Sequence, residues 1–230
     1  MKNLWTLATA LAIPAMPAHA NLMLDKVIVD LEASQLPRDD IELLNEGSER
    51  MYVLVEPFLI RNPDTKNEER ILQGVGDPSK LLVSPRRLVL DPGERRLVRL
   101  AVIGDRSTEE QVFRVRIRPV VGDVEAETSG LQVLVGYDTL VIVRPHTIVG
   151  DLAVTRDSDH ITVVNRSNAS QEFYEGQICK SDGSQCADLS PNRLYAGEVW
   201  QIDADENAKV SYTRVVDGRS QQYEFPRSTD

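Results

Sequence analysis

Short apolar segments with the length and alternation of β-strands run through the whole chain, and they constrain its fold more than any other feature. These segments are rich in β-branched residues, and Gly, Pro, Asn or Asp separates one from the next. The sequence therefore predicts an all-β protein. Because aromatic residues make up only 5% of the chain, we expect an aliphatic core.

The strand-like segments form two series that meet at Pro145. The first series comprises residues 24–31, 41–44, 51–60, 81–90, 95–102, 111–118 and 131–143, and the second comprises 152–155, 160–165, 172–179, 195–202, 209–216 and 222–225. Seven short strands with turn signals between them indicate an immunoglobulin-like sandwich. The second series predicts a smaller β-sandwich. We expect two immunoglobulin-like domains in tandem, at 21–143 and 148–230, with a linker at 144–147.

The first twenty residues have the layout of a secretory signal peptide. Lys2 supplies the positive start, residues 4–12 the apolar stretch, and Ala18-His19-Ala20 the small-x-small cleavage site. A membrane anchor is the alternative, but a bilayer requires a much longer apolar run of roughly 20 residues. We predict cleavage after Ala20, export of the protein and no membrane insertion.

The two cysteines, Cys179 and Cys186, flank an Asp-Gly turn signal. An exported protein can keep disulfides, so the spacing predicts a hairpin disulfide. A metal site is the less favoured alternative, because neither His146 nor His160 lies near the cysteines in sequence. We expect no metal and no other cofactor.

Charge and motif content exclude two classes of function. A formal net charge of −10 repels phosphate, so nucleic acid is not an expected partner. The chain contains no H-x-x-x-H, G-x-S-x-G or Walker-type segment, and only three histidines. Carboxylate pairs such as Asp39-Asp40 are typical of solvated charges in an acidic protein. We therefore predict that the protein is not an enzyme.

A set of weak motifs occurs in a specific order after the signal peptide. In chain order, the first part contributes Asn45 with Tyr52 seven residues later, and a strand, a Pro-Gly turn and a second strand over 83–100. Phe113 to Pro119 follow, and then the strand 131–143 runs into Arg144-Pro145. The second part contributes Val163-Val-Asn165, Leu189-Ser-Pro191, and Tyr212 followed by Asp217-Gly218. Together they resemble the periplasmic pilus chaperones of the chaperone-usher pathway.

This resemblance implies two immunoglobulin-like domains at an angle, with a cleft that holds an incomplete pilus subunit in the periplasm. Such a chaperone lends its own strand to the subunit, which lacks one, and then delivers the subunit to an outer-membrane usher without ATP or metal. The alternative function is an exported adhesion or binding module with two immunoglobulin-like domains.

The segment 131–143 has the side-chain pattern that strand donation requires. Successive strand residues point to opposite faces, which places Leu131, Val133 and Val135 on one face and Leu134, Leu140 and Ile142 on the other. Since both faces are apolar, we expect both to be covered, one by the protein's own core and the other by a client. An internal strand of one domain is the alternative. We interpret the segment as an edge strand and Leu131, Val133 and Val135 as its subunit-binding residues.

The best-known members of the resembled family anchor the client's terminal carboxylate with an Arg on the first strand and a Lys on the last. The Lys position, five residues before the linker proline, is Leu140 here, and residues 27–29 read Val-Ile-Val where the Arg belongs. The chain thus resembles a divergent branch without the usual anchor pair. Substitutes are Lys26 and the alternating arginines Arg114, Arg116 and Arg118, of which we choose Arg116. A solvated basic face is the alternative.

Overall fold

The computed structural model describes residues 22–74, 81–120 and 134–226, and this part of the chain contains strands and connections but no helix. The all-β prediction is confirmed. The predicted signal peptide lies outside the described residues. Over the described ranges, no helix is long and apolar enough to cross a membrane.

Eighteen strands lie in the described residues. The first ten are β1 (Leu22–Leu24), β2 (Ile28–Leu31), β3 (Arg38–Asn45), β4 (Met51–Arg61), β5 (Glu69–Leu72), β6 (Leu81–Ser84), β7 (Arg87–Leu90), β8 (Arg95–Val102), β9 (Gln111–Val120) and β10 (Tyr137–Val143). The other eight are β11 (Leu152–Arg156), β12 (His160–Asn165), β13 (Gln171–Cys179), β14 (Ala187–Leu189), β15 (Asn192–Leu194), β16 (Val199–Asp203), β17 (Lys209–Val216) and β18 (Arg219–Glu224).

Strands β1 to β10 form a first sandwich of two sheets. One sheet has the order β1-β3-β8-β6, and the other has the order β2-β10-β9-β4-β5 with β7 also paired to β4. The alternating inner residues of both sheets form one core, in which Ile41, Val98, Val115 and Val141 are fully buried. Phe113 is the one aromatic side chain among the buried residues of this core. The expected aliphatic core is therefore present in the first sandwich.

Strands β11 to β18 form a second sandwich. Its sheets have the orders β11-β12-β16 and β14-β13-β17-β18, with β15 also paired to β13. Its core combines buried aliphatic residues such as Ile161 and Val210 with a group of aromatic rings, so it is less purely aliphatic than expected. The ring centroids of Trp200 and Tyr212 are 5.3 Å apart, and Phe173 lies 5.2 Å from Trp200. The few aromatic residues of the chain are thus concentrated in the smaller sandwich.

The predicted disulfide is present in the second sandwich. Cys179 ends β13 and is bonded to Cys186, immediately before β14. Ile178 pairs with Ala187, so the disulfide closes a hairpin between β13 and β14.

Several predicted strand boundaries are wrong for local reasons. The segment 24–31 is two strands, because the chain crosses between sheets after Leu24: β1 pairs antiparallel with β3, whereas β2 pairs parallel with β10. The segment 81–90 is interrupted at Pro85, which has no N–H group for a sheet hydrogen bond. The segment 195–202 begins as a turn and becomes a strand only at Val199.

Candidate functional site

The last strand of the first sandwich, β10, combines an internal position with an open edge. Leu140 to Val143 pair with β2 on one side and with β9 on the other. Tyr137 to Thr139 pair with β9, and no second partner strand lies beside them among the described residues. The prediction of an edge strand is therefore wrong for the second half of β10, where the internal alternative holds, and it fits the first half.

Both faces of β10 are covered, as its apolar pattern predicts. Val141 and Val143 point into the core of the first sandwich. Leu140 and Ile142 point the other way, into a small cluster that includes Tyr195 of the second sandwich. For these two residues, the second cover is the neighbouring sandwich and not a client.

The segment before β10 leads away from this covered region. In the structure the strand starts at Tyr137, not at residue 131, and Val135 precedes it with 46% of its surface exposed. Tyr137 donates a hydrogen bond from its hydroxyl to the backbone oxygen of Leu22 at 2.8 Å, which ties this end of β10 to β1. Leu131 and Val133 lie outside the described residues.

Three of the candidate anchor residues already have carboxylate partners, and for Arg118 the partner is Glu56, 3.1 Å from its Nε. Nζ of Lys26 lies 3.1 Å from the Asp39 carboxylate, beside the crossing between β1 and β2. Nε of Arg116 lies 3.3 Å from Glu56, and its guanidinium group stacks over Phe58 at 4.8 Å from the ring centroid. These contacts pair all three cations with carboxylates of the chain itself.

Arg114 differs from these three residues. Its Nη1 donates to the backbone oxygen of Asp138 at 3.3 Å, and within the described part of the chain no carboxylate forms an ion pair with it. Arg114 pairs with Leu140 in the β9–β10 register, and Leu140 pairs in turn with Ile28. The arginine therefore stands one strand away from Leu140 and two strands away from Ile28, the positions where the resembled family carries its basic pair.

A buried polar junction joins the two sandwiches at the end of β10. Arg144 is 2% exposed; its Nη1 donates to Glu110 at 2.6 Å and to the backbone oxygen of Ser170, in the second sandwich, at 2.7 Å. Its Nε and Nη2 donate to Asp30 on β2. Burial raises the pKa of Glu110, against the attraction of Arg144 and two hydrogen bonds from Ser170.

Sequence reasoning identified Arg144 as part of the linker but missed the rest of this junction. Asp30, Glu110 and Ser170 are far from Arg144 in the chain, so spacing cannot bring them together. The available signal was an arginine directly after an apolar strand. A buried arginine requires acceptors for five N–H groups, and acidic residues at the ends of neighbouring strands are the groups that can supply them.

The described residues show no metal-binding constellation. No group of three or more His, Cys, Asp or Glu side chains is arranged to hold an ion in these ranges. The polar groups at the junction are hydrogen-bonded to one another.

Comparison with solved structures, and not with sequences, shows which fold this chain has. No protein-family model matches the chain, and no curated protein matches its sequence. A crystal structure of the class 5 fimbriae chaperone CfaA matches with a TM-score of 0.71 and 21% identity, covering 91% of this chain and 100% of that chain. A complex described as a chaperone-tip adhesin complex for CFA/I fimbriae biogenesis matches with a TM-score of 0.65 and 20% identity, at the same coverage.

Other matches have the same architecture at lower identity. The CsuC-CsuE chaperone-tip adhesion subunit complex, from the archaic chaperone-usher Csu pili of Acinetobacter baumannii, has a TM-score of 0.57 and 12% identity, covering 91% of this chain and 100% of that chain. The solved periplasmic chaperone SfaE also matches. The chain therefore has the fold of fimbrial chaperones, and the prediction of two immunoglobulin-like domains is confirmed.

Proposed function

We propose that the protein is a chaperone for pilus or fimbrial subunits that acts by strand donation. The observation that carries this proposal is the open edge at Tyr137 to Thr139, preceded by the exposed Val135, in a protein with the fold of fimbrial chaperones. An exposed apolar side chain beside an unpaired strand edge fits a surface that another chain covers.

The donor residues in this proposal are Leu131, Val133 and Val135. They have the same odd spacing as Val141 and Val143, whose side chains point into the first core. If the alternation continues towards the N-terminus from β10, these three residues form a row of apolar side chains at every second position, which we call the apolar comb. The comb extends the core-facing side of β10 beyond the end of the sandwich. A subunit that lacks a strand would take this comb into its own open core.

Several further properties belong to the same proposal. The signal peptide at 1–20 would direct the chain to the periplasm, where the disulfide can form. The domains would comprise 21–143 and 148–230, with the linker at 144–147. The protein would act without catalysis or a cofactor and would deliver its subunits to an outer-membrane usher. Solved structures with this fold include the SafA pilin of Salmonella enterica in complex with the SafB chaperone, which supports subunits as partners.

For the carboxylate anchor, the geometry favours Arg114 over Arg116 and Lys26. An arginine held by Glu56 and Phe58 must give up existing contacts to bind a client, and Lys26 must release Asp39. Arg114 can donate to a client carboxylate without breaking an ion pair, since its existing contact is a 3.3 Å hydrogen bond to the backbone oxygen of Asp138. We therefore move the proposed anchor from Arg116 to Arg114 and keep Arg116 and Lys26 as its alternatives.

Co-purification tests the proposed function. We expect pilin and usher genes beside the gene of this chain. The tagged chain would be expressed with them and purified from the periplasm for mass spectrometry. We expect a soluble complex of the chain with one pilin subunit, and loss of that subunit from the periplasm when the chain is omitted. Subunits that stay soluble without the chain, and a chain that purifies alone, would contradict the proposal and favour a binding module of another kind.

A further inference from the structure

Three consecutive residues at the open start of β10, Gly136, Tyr137 and Asp138, are each held by a different part of the first sandwich. We call these three residues the root, because the exposed Val135 directly precedes them. Among the described residues, only β9 pairs with this end of β10. A strand end that is paired on one side has few backbone hydrogen bonds and frays easily. The order of the root therefore depends on its further contacts.

Gly136 lies so close to β9 that no side chain fits at its position. A Cβ atom there would lie 2.9 Å from Cβ of Arg118 and 3.2 Å from the backbone oxygen of Ile117. Neither atom can rotate away, because one is a backbone atom and the other is bonded directly to the backbone. Glycine thus allows the chain to lie against β9 one residue before β10 begins.

Tyr137 holds the root from the inner face of the sheet. Its ring packs against the core of the first sandwich, and its hydroxyl donates to the backbone oxygen of Leu22 at 2.8 Å. Leu22 is 1% exposed and belongs to β1, which lies in the opposite sheet. The hydrogen bond therefore ties the root to the other half of the sandwich.

Asp138 holds the root from the outer face, because successive side chains of a strand point to opposite sides. Nη1 of Arg70, on β5, lies 2.9 Å from the Asp138 carboxylate. The sheet order is β10-β9-β4-β5, so this ion pair spans the face above two intervening strands. Arg114 adds a hydrogen bond to the backbone oxygen of Asp138 at 3.3 Å. Contacts on both faces thus restrain the same three residues.

A restrained strand edge is a better template for another strand than a frayed edge. Its free N–H and C=O groups already stand in the positions that a pairing strand requires. Ordering a flexible segment during binding costs conformational entropy, and a segment ordered beforehand avoids that cost. The contacts of the root leave the backbone edge of β10 open, since they engage side chains and the two faces of the sheet.

We propose that Gly136, Tyr137 and Asp138 are positioning residues that order the open edge of β10 before a client strand pairs with it. Arg70 is the fourth member of this device, although it lies at the far edge of the sheet. The inference rests on the proposed function, because the strand that pairs with the edge belongs to the client.

NMR relaxation of the backbone amides tests the order of the root in the full chain without a client. For residues 136–138 we expect order parameters of about 0.85, the value of rigid backbone. In a protein with both Tyr137→Phe and Arg70→Gln, these values should fall below about 0.6. Thermal melting would show that the fold of this variant is intact.

Competition for a limited amount of pilin tests what this order contributes to binding. The wild type and one variant, with different tags, would be expressed together with one pilin gene, and mass spectrometry would measure the pilin recovered with each tag. Tyr137→Phe should capture about 2- to 10-fold less pilin than the wild type. Arg70→Gln should capture about 2- to 5-fold less. The exchanged pair Arg70→Asp with Asp138→Arg should restore capture.

Glycine variants provide a matched comparison in the same assay. Gly136→Ala should capture about 10-fold less pilin, because the added methyl group pushes the root away from β9. Gly74→Ala is the control and should capture as much as the wild type, since a Cβ atom at Gly74 would meet no heavy atom within 4 Å.

Flexible amides at 136–138 in the wild type overturn the inference. Equal capture of pilin by the wild type and the Tyr137→Phe, Arg70→Gln and Gly136→Ala variants also overturns it, and this result leaves the chaperone function intact. A wild-type chain that captures no pilin overturns the proposed function and the inference together.

Discussion

Arg144 and Asp30 form a bidentate ion pair at the point where the two sandwiches meet. Nε and Nη2 of Arg144 lie 3.0 and 2.7 Å from the two carboxylate oxygens of Asp30. Because Asp30 belongs to β2 and Arg144 follows β10, the pair closes the end of the parallel β2–β10 pairing. Through Glu110 and Ser170, the same arginine connects this end to the second sandwich. One buried guanidinium group thus connects β2, the end of β10 and the second sandwich.

Arg144→Ala should destabilise the protein by about 3 to 5 kcal/mol, because it leaves Asp30 and the buried Glu110 without their cation. Urea denaturation followed by circular dichroism measures this loss. Arg99→Ala, which removes an exposed pair with Asp40, is the control and should change the stability little. Equal stability of the two variants would show that the junction contributes nothing.

Thr139→Val should leave the stability unchanged or raise it by about 1 to 2 kcal/mol. Thr139 is fully buried, and its hydroxyl has no hydrogen-bond partner among the described residues. Replacing an unsatisfied hydroxyl by a methyl group of similar size removes the cost of its burial. Thermal melting, with Thr139→Ala as the cavity-forming control, measures the effect. A valine variant as unstable as the alanine variant would indicate that the hydroxyl has a partner.

Alkaline pH should destabilise the second sandwich through Tyr212. Burial raises the pKa of this phenol to about 12 from its ordinary value of 10.0. The folded state therefore holds the proton more tightly than the unfolded state. The resulting stability is fully present below pH 10 and is lost as the pH rises through about 12, by roughly 2 to 3 kcal/mol.

The fluorescence of Trp200, which packs against Tyr212, reports this transition during urea denaturation at each pH. Tyr212→Phe should flatten the pH dependence between about pH 10 and 12. It should also cost about 1 kcal/mol at neutral pH, because the hydrogen bond to the backbone oxygen of Ser190 is lost. An unchanged pH profile in the variant would assign the alkaline effect to other groups.

Removing the hairpin disulfide should destabilise the second sandwich by about 2 to 3 kcal/mol. This is the stabilisation expected from the restricted entropy of the unfolded chain when a disulfide closes so short a loop. The variant in which Cys179 and Cys186 are both replaced by serine is compared with the wild type by urea denaturation, again with Trp200 as the reporter. Mass spectrometry of the periplasmic protein checks the oxidation state first. Two free thiols in that sample would contradict the disulfide as a feature of the exported protein.

The architecture was largely predictable, because side-chain alternation is a local property. The pattern of β9, with Phe113, Val115 and Ile117 on one face and arginines on the other, is found in the structure. Alternation does not show which sheet a strand joins. The sheet that β2 joins after β1, and the internal position of Leu140, depend on pairing between segments more than 100 residues apart in the chain.

The candidate site was less predictable, since it depends on partners from other strands. Alternation placed Arg114 and Arg116 on one face, but it could not show that Glu56 and Phe58, on β4, engage Arg116. Our choice of Arg116 rested on its central position in the strand. The structure supplies the missing information, which is the set of contacts that each arginine already makes.

The central claim is strand donation, and the substitution Val133→Asp tests it most directly. A carboxylate in the apolar comb would enter the open core of a client, so client binding should collapse. The free protein should stay folded, because in this account the comb faces water without a client. Val141→Asp is the matched control: it has the same odd position on the same segment, but Val141 is fully buried in the first core, so this variant should unfold.

The decisive measurement compares the melting temperature of the Val133→Asp protein with its ability to keep pilin subunits soluble in the periplasm. The account predicts a melting curve like that of the wild type and a loss of soluble subunits. A first sandwich that melts like the Val141→Asp variant would contradict it, because residue 133 would then belong to the protein's own core. A folded variant that still retains its subunits would contradict it equally.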